Sequence, residues 1–420
     1  MPHFDFFYSF TFWIVFILIA FFVRIIFIKP PLKACLLFVS SVFMLLALPR
    51  FSYVFLLLLT GATAFTFMIG RALNSKTRIT ENRKRKLTAF LGIFAILCFL
   101  ALFKYRFVQD ILWNEGVFLK RGASNFIFII GISYFSFKMI HVVIESYRHK
   151  LENLNLLDYF NYVFLFPSFI SGPINRYGHF SSQQIGPSRP SLKKDLKAGS
   201  ERIVHGLFKK FVLVQLLYPH ILTTQPKELA VLLPHKVALG LYVCAFYFYF
   251  DFSAYSDLAI GCARILGIEL PENFHWPFLK RNIRELWTNW HISLTSWLVD
   301  YIYWPFVRKM RNFGFFREHP VFLSNIGMII TFIICGMWHG ESMNFILWGA
   351  YHGIGISVLT VYQRRKKKLV SPFAQKYFRS KLSHWLGIVA TFNYFTLGLA
   401  LFVLDISKLR ILITQLLTPK

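Results

Sequence analysis

The chain has 420 residues, 56% hydrophobic and 19% aromatic, with 50 Phe and a formal net charge of +28. That composition excludes an ordinary soluble domain; it indicates an all-α, polytopic integral membrane protein with several windows close to the ~20 apolar residues needed to span hydrocarbon. The basic excess collects in short loops between apolar segments, where it sets topology and meets the anionic lipid bilayer, so it does not call for a nucleic-acid partner.

Met1-Pro2-His3-Phe4-Asp5-Phe6 carries no basic n-region, and no small-residue cleavage site follows. The first apolar run therefore reads as a retained membrane helix rather than a signal peptide. Spans are predicted at approximately 10–28, 33–49, 51–70, 87–104 and 125–146. Arg24, Lys29 and Lys33 follow the first span. Residues 71–86, with Asn82-Arg83-Lys84-Arg85-Lys86, follow the third, and Arg148 and Lys150 follow the fifth. This alternation puts the N-terminus outside and these three loops in the cytoplasm. Lys104, Arg106, Lys120 and Arg121 break the bias, with Asp110 and Glu115 as partial offsets.

From 151 to 320 the apolar runs are short and broken by Phe166-Pro167-Ser168, Ser171-Gly172-Pro173, Leu270-Pro271-Glu272 and Trp276-Pro277. Irregular backbone at membrane depth survives only where protein buries it or it lines a cavity. This stretch is predicted to hold re-entrant or interfacial helices around a site, with one or two true spans between 207 and 260. Regular spans resume at approximately 321–339, 343–362 and 384–405, and Arg364-Arg365-Lys366-Lys367-Lys368 is placed in the cytoplasm. The expectation is a single integral domain over 1–420. It comprises peripheral spans over 1–150, a core of broken helices over 151–362, and a C-terminal loop and span over 363–420. No internal repeat is visible by eye. Cys35, Cys98, Cys244, Cys262 and Cys335 form no CxxC pair and mostly lie in apolar runs, so they read as core residues rather than as a disulfide framework or a metal site.

The chemistry concentrates on two histidines. His339 ends the apolar run Ile329-Ile330-Thr331-Phe332-Ile333-Ile334-Cys335-Gly336-Met337-Trp338-His339-Gly340. A titratable group at membrane depth is costly and usually marks a function. His291, in Trp287-Thr288-Asn289-Trp290-His291, is likewise flanked by tryptophan. Imidazole exchanges a proton near neutral pH, so the pair points to proton chemistry. Arg284, Trp287 and His291 are spaced i, i+3, i+7, one face of a helix; Asn289 and Trp290 lie off that stripe. The bland alternative is an interfacial aromatic belt with a snorkelling arginine. Polar density (Asn282, Arg284, Glu285, Asn289, His291) favours a wet cavity instead. Gly336 and Gly340, and Gly349 and Gly353, form GxxxG pairs that read as close helix packing. His352 reads equally as a core histidine or as support for the site. Asp251 and Asp257 flank Phe252-Ser253-Ala254-Tyr255-Ser256, where they fit either cation binding and proton relay or helix capping. No P-loop, G-x-S-x-G or zinc-ligand pattern appears.

Several of these runs together resemble the membrane-bound O-acyltransferase family. They are Gly131-Ile132-Ser133-Tyr134-Phe135-Ser136-Phe137, Ser171-Gly172-Pro173-Ile174-Asn175-Arg176, Asp251 to Asp257, Glu272-Asn273-Phe274 to Trp276-Pro277-Phe278, Trp287 to Trp297, and Met337-Trp338-His339-Gly340. They stand in the family's order over about 125–355. The set is specific; no single run is. The resemblance implies about ten to twelve transmembrane or re-entrant helices around a central tunnel. It implies a catalytic His339 and a second functional histidine at His291. Asn289, Trp287, Trp290, Arg284, Trp338, Asp251, Asp257, Arg176 and His352 are the candidates for the tunnel.

Features of two bacterial branches are mixed, and the balance favours the D-alanyl branch. Total length and Ser171 to Arg176 resemble the branch that transfers D-alanyl groups to teichoic acid, although that branch commonly has Asp where Asn175 stands. Ser256-Asp257-Leu258-Ala259-Ile260-Gly261 and Leu347-Trp348-Gly349-Ala350-Tyr351-His352-Gly353 resemble the alginate O-acetylation branch. The first implies a phosphopantetheine thioester on an acyl carrier protein at the cytoplasmic face; the second implies acetyl-CoA or another acetyl donor. The acceptor is an extracytoplasmic polymer or an accessory acyl-accepting membrane protein. No permanently bound cofactor is expected. A transporter or flippase is the rival class, and an envelope scaffold is the third.

Overall fold

The computed structural model describes residues 10–24, 30–46, 53–75, 81–108, 110, 131–151, 153–185, 192–368 and 380–417. Lys29, Glu115, Lys120, Arg121, the start of the span expected at 125–146 and most of the loops at 71–86 and 364–381 that lacks helix (76–80 and 369–379) lie outside them. The described residues are helical apart from turns, loops and one isolated β-bridge between Phe274 and Trp290. Among the described residues, six helices are long and apolar enough to cross a membrane. The chain divides into two compact units, residues 1–206 with 255–271, and residues 207–254 with 272–420.

The first unit holds α1 (Phe10–Arg24), α2 (Pro30–Leu46), α3 (Tyr53–Asn74), α4 (Asn82–Lys104) and α5 (Ile132–Tyr147). The short helices α6 (Leu156–Phe164), α7 (Phe166–Phe169) and α8 (Tyr177–Ile185) follow, then α9 (Leu192–Phe208). Along α3, Leu57 and Met68 face outward while Thr63 and Thr66 are buried. The Thr66 hydroxyl meets Tyr159 of α6 at 2.7 Å. An apolar outer face with hydroxyls turned inward is what lipid-bathed helices require. Arg85 of α4 donates to the Tyr147 carbonyl at the end of α5 (2.7 Å) and reaches the Leu73 carbonyl near the end of α3 (3.4 Å). One basic residue expected to set topology thus also satisfies helix-end carbonyls.

Lys138 is buried in the middle of α5. Its ammonium donates to the Tyr162 carbonyl (2.9 Å) and the Ser168 hydroxyl (3.0 Å). Nearby, His141 Nε2 accepts the backbone N–H of Tyr177 (3.0 Å), and the Tyr162 hydroxyl donates to the Asn175 carbonyl (2.8 Å). The broken α6–α8 region is therefore tied to α5 by polar side chains. Composition marked this region as irregular but gave no sign of its partners.

The second unit begins after Gly206. The sequence allowed one or two spans between 207 and 260; the structure has one, α10 (Pro234–Ile265), preceded by a π-helical turn at Lys209–Val214 and shorter turns. α10 passes from the second unit into the first at Tyr255. In the first unit its C-terminal part crosses α9 where Gly261 and Gly199 meet, a Cβ on Gly261 lying 2.7 Å from the Gly199 carbonyl oxygen. Ion pairs Arg202–Asp257 (3.0 Å) and Arg264–Asp195 (2.8 Å) flank that crossing.

The rest of the second unit contains α11 (Ile283–Thr288), α12 (Ile292–Leu298), α13 (Trp304–Met310), α14 (Pro320–His339), α15 (Met343–Lys368), α16 (Lys381–Val403) and α17 (Ile406–Leu417). α14 and α15 pack backbone to backbone: a Cβ on Gly353 would lie 2.7 Å from Ile329 Cα, and one on Gly349 would run into the Phe332 carbonyl. The glycine pairs act as close-packing positions, as expected. α15 and α16 are joined through Tyr351 and Tyr394, whose rings stack at 4.3 Å while each hydroxyl donates to the other's carbonyl (2.9 and 2.5 Å).

Candidate active site

The site is built on a turn rather than on a helix face. Asn282 caps α11, its Oδ1 accepting the Glu285 N–H at 3.0 Å, and α11 stops at Thr288. The strand-like segments on either side of α11 then pair: His275 N–H donates to the Asn289 carbonyl (3.1 Å), and Ile292 N–H to the Asn273 carbonyl (2.9 Å). His291 sits at the hinge with φ +45° and ψ 52°. A non-glycine residue there costs about 1–3 kcal/mol. Its surroundings offset this, because the His291 carbonyl accepts the Leu294 and Thr295 N–H groups (3.0 and 2.9 Å) and starts α12. Asn273, fully buried, accepts from the Ser293 hydroxyl (2.6 Å) and backbone (3.3 Å).

The i, i+3, i+7 stripe is therefore corrected. Arg284 and Trp287 share α11, but the left-handed turn takes His291 off that helix. Arg284 donates to the Thr360 hydroxyl of α15 (2.5 Å), and Trp287 packs into a ring cluster. Asn289 is committed locally: its Nδ2 donates to the Glu285 carbonyl (2.8 Å), and its Oδ1 lies 3.2 Å from His275 Nδ1. Trp290 contacts Phe274 (5.2 Å) and Phe395 (5.1 Å).

His291 is 5% exposed, its ring perpendicular to Phe252 at 4.6 Å and 6.5 Å from Trp338. It lies outside the six long helices, and burial pulls its pKa down to about 3. The ring is thus neutral and can donate or accept a hydrogen bond. His339 is the last residue of α14 and half-buried. Its ring lies 4.6 Å from Trp338, 5.2 Å from Trp348 and 5.0 Å from Phe402, each steeply inclined. The two histidines expected to work together thus both contact the indole of Trp338. His352, one turn beyond Trp348 on α15, belongs to the same ring cluster.

Three further candidates are engaged within their own units. Asp251 pairs with Lys210 at 2.5 Å within the second unit. Asp257 pairs with Arg202 in the first, and Arg176 also belongs to that unit. Both aspartates stand well inside α10, so they are not helix caps. Among the described residues no group of three His, Cys, Asp or Glu could hold a metal ion. Residue type and spacing alone do not mark Asn273 and Trp348. Both lie in runs that carry the family resemblance, which was the available signal.

The sequence profile of the MBOAT, membrane-bound O-acyltransferase family, matches residues 86–401. The chain is 31% identical over 287 residues to a teichoic acid D-alanyltransferase of Bacillus subtilis (strain 168), covering 66% of this chain and 69% of that protein. It is 31% identical over 296 residues to a teichoic acid D-alanyltransferase of Streptococcus thermophilus, covering 67% and 69%. It is also 31% identical over 351 residues to a probable alginate O-acetylase AlgI of Azotobacter vinelandii, covering 82% and 67%.

Proposed function

The chain belongs to the membrane-bound O-acyltransferase family and is a multi-pass O-acyltransferase, and from that premise we propose that it carries a small acyl group, D-alanyl in the first instance, from a cytoplasmic thioester to a hydroxyl of an envelope polymer. The observation that carries the reading is the placement of His339 and His291 against one indole. The acceptor hydroxyl attacks the thioester carbonyl while His339 takes its proton. Collapse of the tetrahedral intermediate breaks the C–S bond, and the imidazolium returns the proton to the thiolate. His339 closes α14, so the partial negative charge of the helix C-terminus lies beside the charge that builds on the ring. With the Asn289 amide engaged by Glu285, His291 is the side chain assigned to orient the acceptor or steady the oxyanion.

The donor in this reading is a phosphopantetheine thioester on an acyl carrier protein. The basic segments at 71–86 and 364–381 supply charge complementary to an acidic carrier. Only the acyl group crosses, through a tunnel left by the broken segments around His291, and the polymer or an accessory membrane protein receives it outside. D-alanyl is favoured by the Ser171 to Arg176 run and by the two D-alanyltransferase relatives. Acetyl transfer is the second reading, favoured by the AlgI relative, which aligns with more of this chain. Membranes containing the protein, supplied with labelled D-alanyl or acetyl thioester of a pantetheine carrier and with teichoic acid or alginate, distinguish them. D-alanyl ester on teichoic acid is the expected product. Acetyl ester on alginate would reverse the choice of acyl group. Lipid-linked sugar movement without either ester would favour a flippase.

A further inference from the structure

His352 is fully buried on α15, and neither ring nitrogen has a hydrogen-bond partner among the described residues. The same holds for the indole nitrogens of Trp287 and Trp348. Leaving such groups unpaired in a protein interior is costly, and a phenylalanine would fill a similar volume without that cost. The ring geometry suggests what the imidazole does. It stands at 74° to Trp287 (4.9 Å) and at 73° to Trp348 (5.0 Å), and those two indoles meet each other at 84° (5.5 Å). Perpendicular packing is the arrangement in which a ring N–H meets a π face. Trp348 in turn stands at 84° to His339 (5.2 Å). The other side of His352 is closed by α16, where a Cβ on Gly398 would lie 2.7 Å from His352 Nε2.

We propose that His352 is a positioning residue for acyl transfer: wedged between Trp287, Trp348 and the backbone at Gly398, it fixes the indole of Trp348 against which the His339 ring rests. The inference depends on the reading of His339 as the base. His352 itself touches neither substrate nor the reacting atoms. It acts through one indole, and its effect is on how often the His339 nitrogen is aimed at the acceptor hydroxyl. A misaimed base lowers the chemical step and leaves ground-state binding alone.

The test is a panel of full-length variants in membranes: His339→Ala, His352→Phe, Trp348→Phe, the His352→Phe/Trp348→Phe double variant, and Gly398→Ala. The probes are the D-alanyl and acetyl pantetheine thioesters, with kcat and KM read per folded protein after detergent size-exclusion. His352→Phe and Gly398→Ala are expected to lower kcat on the order of 10- to 100-fold with KM unchanged. The double variant is expected to be no slower than the slower single one, because both changes release the same ring. Gly398→Ala displaces the imidazole without removing it, so it carries the test if His352→Phe does not fold. Wild-type kcat in either variant, a rise confined to KM, or losses that multiply in the double variant would overturn the proposal. If His339→Ala stays active, it is the base assignment that fails. If His339→Ala is dead while His352→Phe and Gly398→Ala turn over normally, the positioning role fails alone.

Discussion

His291 and His339, distant in sequence, rest against a single indole, with ring centres 6.5 and 4.6 Å from that of Trp338. One histidine is delivered by a left-handed turn, the other by the end of an apolar helix. A turn held by Asn273 and Ser293 and a helix locked to its neighbour through glycine are both stiff supports. That stiffness suits a base that must meet a hydroxyl in one orientation.

His339→Ala is expected to abolish acyl transfer while protein level and membrane insertion stay normal. Removing a general base costs roughly 10²–10⁴-fold. The upper end is expected, since a half-buried ring packed against Trp338, Trp348 and Phe402 leaves little room for water to substitute. His339→Gln keeps hydrogen-bonding capacity but cannot take the proton, so it should be nearly as slow. The measurement is labelled-acyl transfer in membranes at matched protein levels, and near-normal turnover by either variant would remove His339 from the role.

Much of this arrangement was legible in the sequence because apolar length and Trp-flanked histidines are local signals. The helices at Pro320–His339 and Lys381–Val403 fall within a few residues of their predicted spans. The i, i+3, i+7 reading failed because it assumed a continuous helix through Asn289, and nothing in that run announces a left-handed histidine. Asp251 and Asp257 looked like a pair because they are six residues apart, but their partners, Lys210 and Arg202, lie on segments that spacing cannot reach. Lys138 and His141 carry no local signal inside an apolar run, because it is long-range hydrogen bonds that make them the anchors of the broken α6–α8 region.

His291 should affect the rate without setting the pH dependence. Burial lowers its pKa to about 3, so it stays uncharged throughout any workable assay range and contributes no acid limb. His291→Gln is therefore expected to reduce kcat/KM at every pH while the acid limb of the profile stays where it is in the wild type. A limb that disappears with His291 would mean that this ring titrates during turnover.

Asn273 should control the His291 turn. Its Oδ1 accepts from both the hydroxyl and the backbone of Ser293, two residues beyond His291. Asn273→Ala leaves a buried hydroxyl and N–H without that acceptor, a loss of about 1–3 kcal/mol. The expected result is a lower thermal inactivation temperature together with reduced turnover. Asn273→Asp keeps an acceptor oxygen in the same place and should recover more of both than Asn273→Ala. Equal stability in all three proteins, measured by residual activity after heating in membranes, would show that the turn stands without this residue.

The basic segments should share one side of the membrane. Arg83, Lys84 and Lys86 begin α4, and Arg364, Arg365 and Lys366 lie near the end of α15. Lys and Arg held near span ends orient a multi-pass protein with those ends in the cytoplasm. Single cysteines at Lys84 and at Arg365, in a background lacking Cys35 and Cys98, are expected to resist a membrane-impermeant thiol reagent added to intact cells and to react once the membrane is opened. Labelling of the Lys84 cysteine from outside would invert α4, and labelling of the Arg365 cysteine would invert α15. Either result would also place basic charge away from the face where a carrier-bound thioester is made, so the same experiment weighs the docking of an acidic carrier.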